Sequence, residues 1–150
     1  MESPATATPA TTLALLRGAR RLLSHPEYWT KQAYGRDADG EVEMRPAKCK
    51  CFCLVGALIA TLGLETFDDG ADEWPAIVTA AVGYLSTLLP PDWVTRNAVL
   101  DEYPTGCIAA YQDDPTTTFA DVAALLDCGI RRLERGAGGG HHGGQEARAA

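Results

Sequence analysis

The sequence predicts a mainly α domain, a small α+β fold of four to five helices with one short β-hairpin after the first helix. Apolar residues recur at spacings of three and four in several segments, which is the period of a helix with one buried face. Capping and stop residues bracket those segments. Between the first two lies a stretch of alternating pattern built around turn chemistry.

Residues 1–8 are a Ser/Pro/Ala/Thr arm and residues 136–150 a Gly-rich tail with His141 and His142, so both ends are expected to be disordered around a single domain over 9–135. Thr8 and Pro9 supply an N-cap and a first-turn proline for a helix whose stripe is Leu13, Leu16, Ala19 or Leu22, and Leu23, ended by His25 and Pro26. From Trp29 to Val42 the alternation, with Asp37-Ala38-Asp39-Gly40 as the turn, predicts the hairpin. Pro46 and Ala47 lead into a helix that begins near Cys51, with small residues Cys53, Gly56, Ala57 and Ala60 on one face, Leu54, Leu58 and Leu62 on the other, and Gly63 as C-cap. A third helix starts at Asp72, with Glu73 and Pro75 in its first turn, and runs through Ile77, Ala81, Tyr84, Leu85 and Leu88 to the Pro90-Pro91 stop. Residues 92–106 suggest a helical turn or two around Val94 to Leu100, closed by Pro104 and Gly106. The last helix carries the clearest signature: Thr118 with Asp121 three residues on, then Phe119, Val122, Leu126, Ile130 and Leu133, expected to pack along the central helix.

At 150 residues, 46% of them hydrophobic and 22% charged, the chain has the composition of a folded globular protein. A chain of that length buries roughly 68–70% of its unfolded surface and needs no staples. The net charge is −7, and residues 51–115 carry Arg96 as their single cation against ten carboxylates. That segment repels a phosphate backbone, so nucleic acid is not an expected partner; Arg17, Arg20 and Arg21 read as a solvated helix face. The first 12 residues hold no basic stretch followed by an apolar one, and the longest apolar run, Cys51 to Leu64, is short of the roughly 20 residues a membrane-spanning helix needs. A cytoplasmic protein that does not enter membranes is expected, with its five cysteines reduced.

Lys48-Cys49-Lys50-Cys51-Phe52-Cys53 is the most unusual feature. At a helix N-terminus between lysines, the Cys51 thiolate is favoured by charge and dipole, whereas Cys53, beside Gly56 and Ala57, reads as a small packing residue. The alternating cysteines lead straight into an apolar helix with no second ligand pair, so neither a metal nor a cofactor is expected. A cysteine nucleophile would recruit Cys51, His25 and Asp113, the available residue types for a thiol, a base and an orienting group. His25 at a helix end also suits contact with the last carbonyls. Asp113 to Thr118 combines carboxylates that attract a divalent cation with a helix start that attracts anions, and the same residues are what a cap prefers. Trp29, Trp74 and Trp93 read as core or rim aromatics.

Leu15 to Leu22, Trp29 with Arg36-Asp37-Ala38-Asp39-Gly40, Cys51-Phe52-Cys53-Leu54-Val55-Gly56-Ala57-Leu58, and Tyr111 to Val122 together carry a resemblance. Over about Leu13 to Leu133 the chain resembles a family of small bacterial and phage proteins known as a domain of unknown function. Its members usually show an aromatic residue followed by Asn-Asp where this chain has Tyr111-Gln112-Asp113. The resemblance implies a fold and no activity. The functional expectation is therefore a non-enzymatic protein-binding or regulatory module using Trp29, Tyr34, Tyr111, Gln112 and Asp113 with the acidic middle segment. The alternative is a thiol-dependent protein, redox-active or hydrolytic, using Cys51.

Overall fold

The computed structural model describes residues 8–67, 75–96 and 104–139. Among them six α-helices and one two-stranded antiparallel pair make a mainly helical fold. Helix α1 (Pro9–Leu22) starts as its sequence predicts: the Thr8 hydroxyl accepts from the Thr11 N–H, and the Thr11 hydroxyl accepts from the Thr8 N–H. Thr8 thus belongs to the folded domain. The Leu23 carbonyl at the other end accepts from the Arg20 guanidinium, and His25 stands exposed at the head of a 3-10 turn over Pro26–Tyr28.

Strand β1 (Gly35–Arg36) pairs with β2 (Cys51–Phe52), Gly35 opposite Phe52 and Arg36 opposite Cys51. The expected turn does form. Asp37 accepts the N–H groups of Asp39 and Glu41, Gly40 takes φ +84°, and Arg36 bridges to Val42. The main partner strand nevertheless lies downstream, because pairing there buries Phe52 to 7% exposure while Val42 stays 57% exposed. This also corrects the helix start expected at Cys51. Cys51 and Phe52 are extended, and α2 (Leu54–Thr61) begins only after Cys53, which is its N-cap and, as expected, a small residue packed in the core. Gly63 follows α2 with φ +79°, the left-handed conformation expected of a C-terminal glycine.

Helix α3 (Ala76–Ser86) has Pro75 at its N-cap position; the expected cap at Asp72 lies outside the described residues, as do Glu73 and Trp74. Helix α4 (Pro91–Arg96) starts at the proline pair that halts α3. Helix α5 (Pro104–Asp113) is a correction: Pro104 opens a helix where a closing turn was expected, since a proline costs nothing in a first turn whose N–H has no partner anyway. Helix α6 (Phe119–Gly139) carries the full capping box, with the Thr118 N–H donating to Asp121 at 2.9 Å and the Asp121 N–H donating to the Thr118 hydroxyl at 3.2 Å. It continues past the boundary expected at 135, each added residue gaining a backbone bond once the helix is nucleated.

Packing centres on α1, which lies against α6 and α2, while α3 packs on α5. The last helix therefore rests on α1 first and not on α2. Arg20 with Asp127 at 2.9 Å and Arg17 with Glu134 at 2.6 Å set α1 and α6 antiparallel. Two of the three arginines of the basic group are thus held in ion pairs. Gly129 lets α6 approach Leu16, Leu85 and Tyr84, and the Tyr84 hydroxyl donates to the Gly129 carbonyl. No helix among the described residues is long and apolar enough to cross a membrane.

Candidate functional site

The N-terminus of α2 is buried, so its first N–H groups need partners from the protein. Cys53 supplies one, its sulfur accepting from the Gly56 N–H at 3.2 Å. Gln112, at the end of α5 and 2% exposed, supplies another. Its Oε1 accepts from the Leu54 N–H at 3.0 Å and from the Trp29 indole at 2.6 Å, and its Nε2 donates to the Thr30 carbonyl and to Asp113 Oδ1, both at 3.0 Å. All four hydrogen-bonding positions of the amide are used. Gln112 is the clip that joins α5, α2 and the segment after the 3-10 turn.

Asp113 continues the clip. Its Oδ1 also accepts from the Gln32 N–H at 2.9 Å, holding Gln32 at φ 62°, a left-handed conformation uncommon for a residue with a side chain. Lys31 donates to the Asp114 carbonyl at 2.6 Å. Arg36 reaches the Thr30 hydroxyl and the carbonyls of Lys31 and Gly40. The loop from Thr30 to Tyr34 is thereby fixed from both sides. Gly56 completes the fit, since a Cβ there would stand 1.9 Å from the Tyr34 carbonyl oxygen.

This arrangement leaves a cleft of about 390 Å³. Gln32, Ala33 and Tyr34 form one wall, Ala109, Gln112 and Asp113 of α5 the other, and Cys53 with Val55 the floor. Of the residues expected at a site, Tyr34, Gln112 and Asp113 border it, and Trp29 is bonded to it through Gln112. Tyr111 projects elsewhere, edge-on to Trp93 with ring centroids 5.4 Å apart. Cys51 and His25 do not border the cleft. Cys51 is on β2, away from the helix terminus that was to activate it, and His25 stacks with Tyr28.

The sulfur in the cleft is that of Cys53, and burial pushes its thiol up to about 11. The Cys49 thiol is likewise raised to about 11, chiefly by burial and then by Glu43, and it hydrogen-bonds to the Glu43 carbonyl. Both are neutral thiols near pH 7. Among the described residues no three His, Cys, Asp or Glu side chains gather closely enough to hold a metal ion. Asp113 to Thr118 does the work of caps: Asp114 accepts the Thr116 N–H and hydroxyl, and its other oxygen accepts the Trp93 indole at 3.0 Å. Gln112 is expected from the sequence as a binding residue and as a departure from the family's Asn; its role as a buried clip has no periodic signal to reveal it.

Fold and site together define a class, a mainly α protein with a small strand pair, in which a buried glutamine builds one cleft wall. A model of a family of unknown function, DUF6197, matches residues 7–132, and the chain belongs to that family. No curated protein and no solved structure matches the chain.

Proposed function

We propose that this chain is a non-enzymatic protein-binding or regulatory module that receives an apolar side chain of a protein partner in the cleft between Gln32–Tyr34 and α5. The observation that carries the reading is the cleft itself, which sets an apolar floor and wall, Val55, Ala33 and Ala109, beside a small number of fixed polar groups. Among the described residues Asp113 Oδ2 has no partner, so at the rim it is open to an N–H of the incoming segment. The wall is held in place before any partner arrives, through Gln112, Asp113 and Arg36, so little ordering entropy is lost on binding. The neutral Cys53 thiol suits a packing floor better than a nucleophile. Trp29 steadies the wall through its bond to Gln112, while Tyr111 is turned away from the cleft and takes no part in it. The free thiols at Cys49, Cys51, Cys53 and Cys128 support a reducing, cytoplasmic setting.

The test is affinity capture from a native lysate with the full chain and with Ala33→Trp, which fills the cleft. The unaltered chain is expected to retain a stoichiometric protein that the variant loses. Equal recovery by both, or no partner alongside measurable turnover on a substrate panel, overturns the reading.

A further inference from the structure

We propose a second binding site on the opposite side of α5, where two adjoining cavities beside Tyr111 take a primary ammonium group carried on a short apolar body. One cavity, of about 210 Å³, is bordered by Trp93, Arg96, Tyr111, Thr117 and Asp121. The other, of about 240 Å³, shares Tyr111 and Asp121 and is otherwise mainly apolar, with Leu88, Ala124, Leu125 and Cys128. Nothing in the cleft described above uses these residues.

Two buried hydroxyls point to a ligand. Tyr111 is 7% exposed and Thr117 is 5% exposed, and neither hydroxyl has a hydrogen-bond partner among the described residues. Buried polar groups are nearly always paired, and leaving one unpaired costs about 1–3 kcal/mol. Both border the same cavity, together with the carboxylate of Asp121. Asp121 Oδ2 is committed to the Thr118 N–H, which leaves Oδ1 without a partner among the described residues.

Charge selects the class of ligand. Among the described residues Asp92 and Asp121 border the cavity against Arg96 alone, and Arg96 acts on Asp114. The surplus is negative and favours a cation. An ammonium has three donors and no acceptor. Asp121 and the two hydroxyl oxygens offer three acceptors. Burial, with Asp121 and Asp114 nearby, raises the Tyr111 phenol above its ordinary value, so it stays neutral and its oxygen lone pair is open to the ligand. The adjoining apolar cavity then houses a branched four- or five-carbon body.

The experiment is a two-dimensional ¹H–¹⁵N NMR titration of the full chain at pH 7 with 3-methylbutan-1-ammonium, against 3-methylbutan-1-ol and 3-methylbutanoate. Saturable shifts are expected at Tyr111, Thr117, Asp121 and Cys128, with the ammonium binding about tenfold or more tighter than the alcohol, as one charge-assisted hydrogen bond warrants. Tyr111→Phe and Thr117→Val, which keep shape and remove the hydroxyls, are each expected to weaken the ammonium severalfold and to leave the alcohol unchanged. Equal affinity for alcohol and ammonium, preference for the carboxylate through Arg96, or no saturable shift at these residues overturns the proposal.

Discussion

Gln112 concentrates more of the fold's polar bonding than any other single side chain in the cleft. Replacing it by Leu keeps the bulk but strands the Trp29 indole, the Leu54 N–H and the Thr30 carbonyl. Each buried orphan costs about 1–3 kcal/mol, and the losses overlap, so Gln112→Leu is expected to cost about 2–4 kcal/mol. Urea unfolding measures this as a lower midpoint at unchanged slope. Asp114 makes a pH-dependent contribution. The Thr116 N–H, the Thr116 hydroxyl and the Trp93 indole hold its carboxyl down to about 2, from an ordinary 3.8. The folded value is the lower one, so the stabilisation is complete above about pH 4 and drains away as pH falls from 3.8 through about 2. A ¹³C carboxyl titration is expected to give that low midpoint and to show it rising in Trp93→Phe; an ordinary midpoint in the unaltered chain counts against the three bonds. The Asp114 turn was legible in the sequence, since Asp before Pro-Thr-Thr is local chemistry. The Gln112 clip was not, because the partners it ties to α5, Leu54, Trp29 and Thr30, are 58 and more residues distant and follow no period.

Two glycines give opposite outcomes at the scale of the elements. In Gly56→Ala the new Cβ meets the Tyr34 carbonyl, and neither α2 nor the clamped loop can give way freely, so about 1–3 kcal/mol of destabilisation is expected. Gly83 lies in the interior of α3 with nothing among the described residues within 4 Å of its Cβ position. Gly83→Ala is expected to stabilise by about 0.5–1 kcal/mol through helix propensity alone. Thermal unfolding of the pair, read by circular dichroism, checks both signs, and a stabilised Gly56→Ala would show that α2 does not approach the loop as closely as described. Helices α1 and α6 were legible because stripe and cap agree in each. Helix α5 was missed because Pro104 and Gly106 read as breakers, and β2 because Cys51-Phe52 continues the apolar run into α2 without a break. For β2 the burial of Phe52 outweighs local preference, and for α5 the proline is harmless because it falls in the first turn. The cleft was legible only in its parts: Tyr34, Gln112 and Asp113 were singled out, but the thiol beside them is that of Cys53 and not of Cys51, the candidate nucleophile.

For the whole molecule, α1 touches both α6 and α2, and Gln112 ties α5 to α2 and to Trp29. Cohesion of that kind makes partial unfolding costly, because no helix can leave without exposing the core of its neighbours. Leu16 sits at the centre, fully buried and adjacent to the Gly129 contact of α6. Leu16→Ala removes its packing and leaves a cavity among helices that cannot close on it, for an expected cost of about 2–5 kcal/mol. The signature of a single cooperative unit is that this loss moves every probe together. Far-ultraviolet circular dichroism follows the helices, while tryptophan fluorescence, measured in a Trp74→Phe background, follows Trp29 at the clip and Trp93 against Tyr111. Both transitions are expected to coincide in urea for the unaltered chain and to shift to the same lower midpoint in Leu16→Ala. If fluorescence changes well before the helical signal, the clip and the cleft wall form a weaker unit that opens while the α1–α6 pair persists, and the preorganised wall on which partner binding rests would not be rigid in solution.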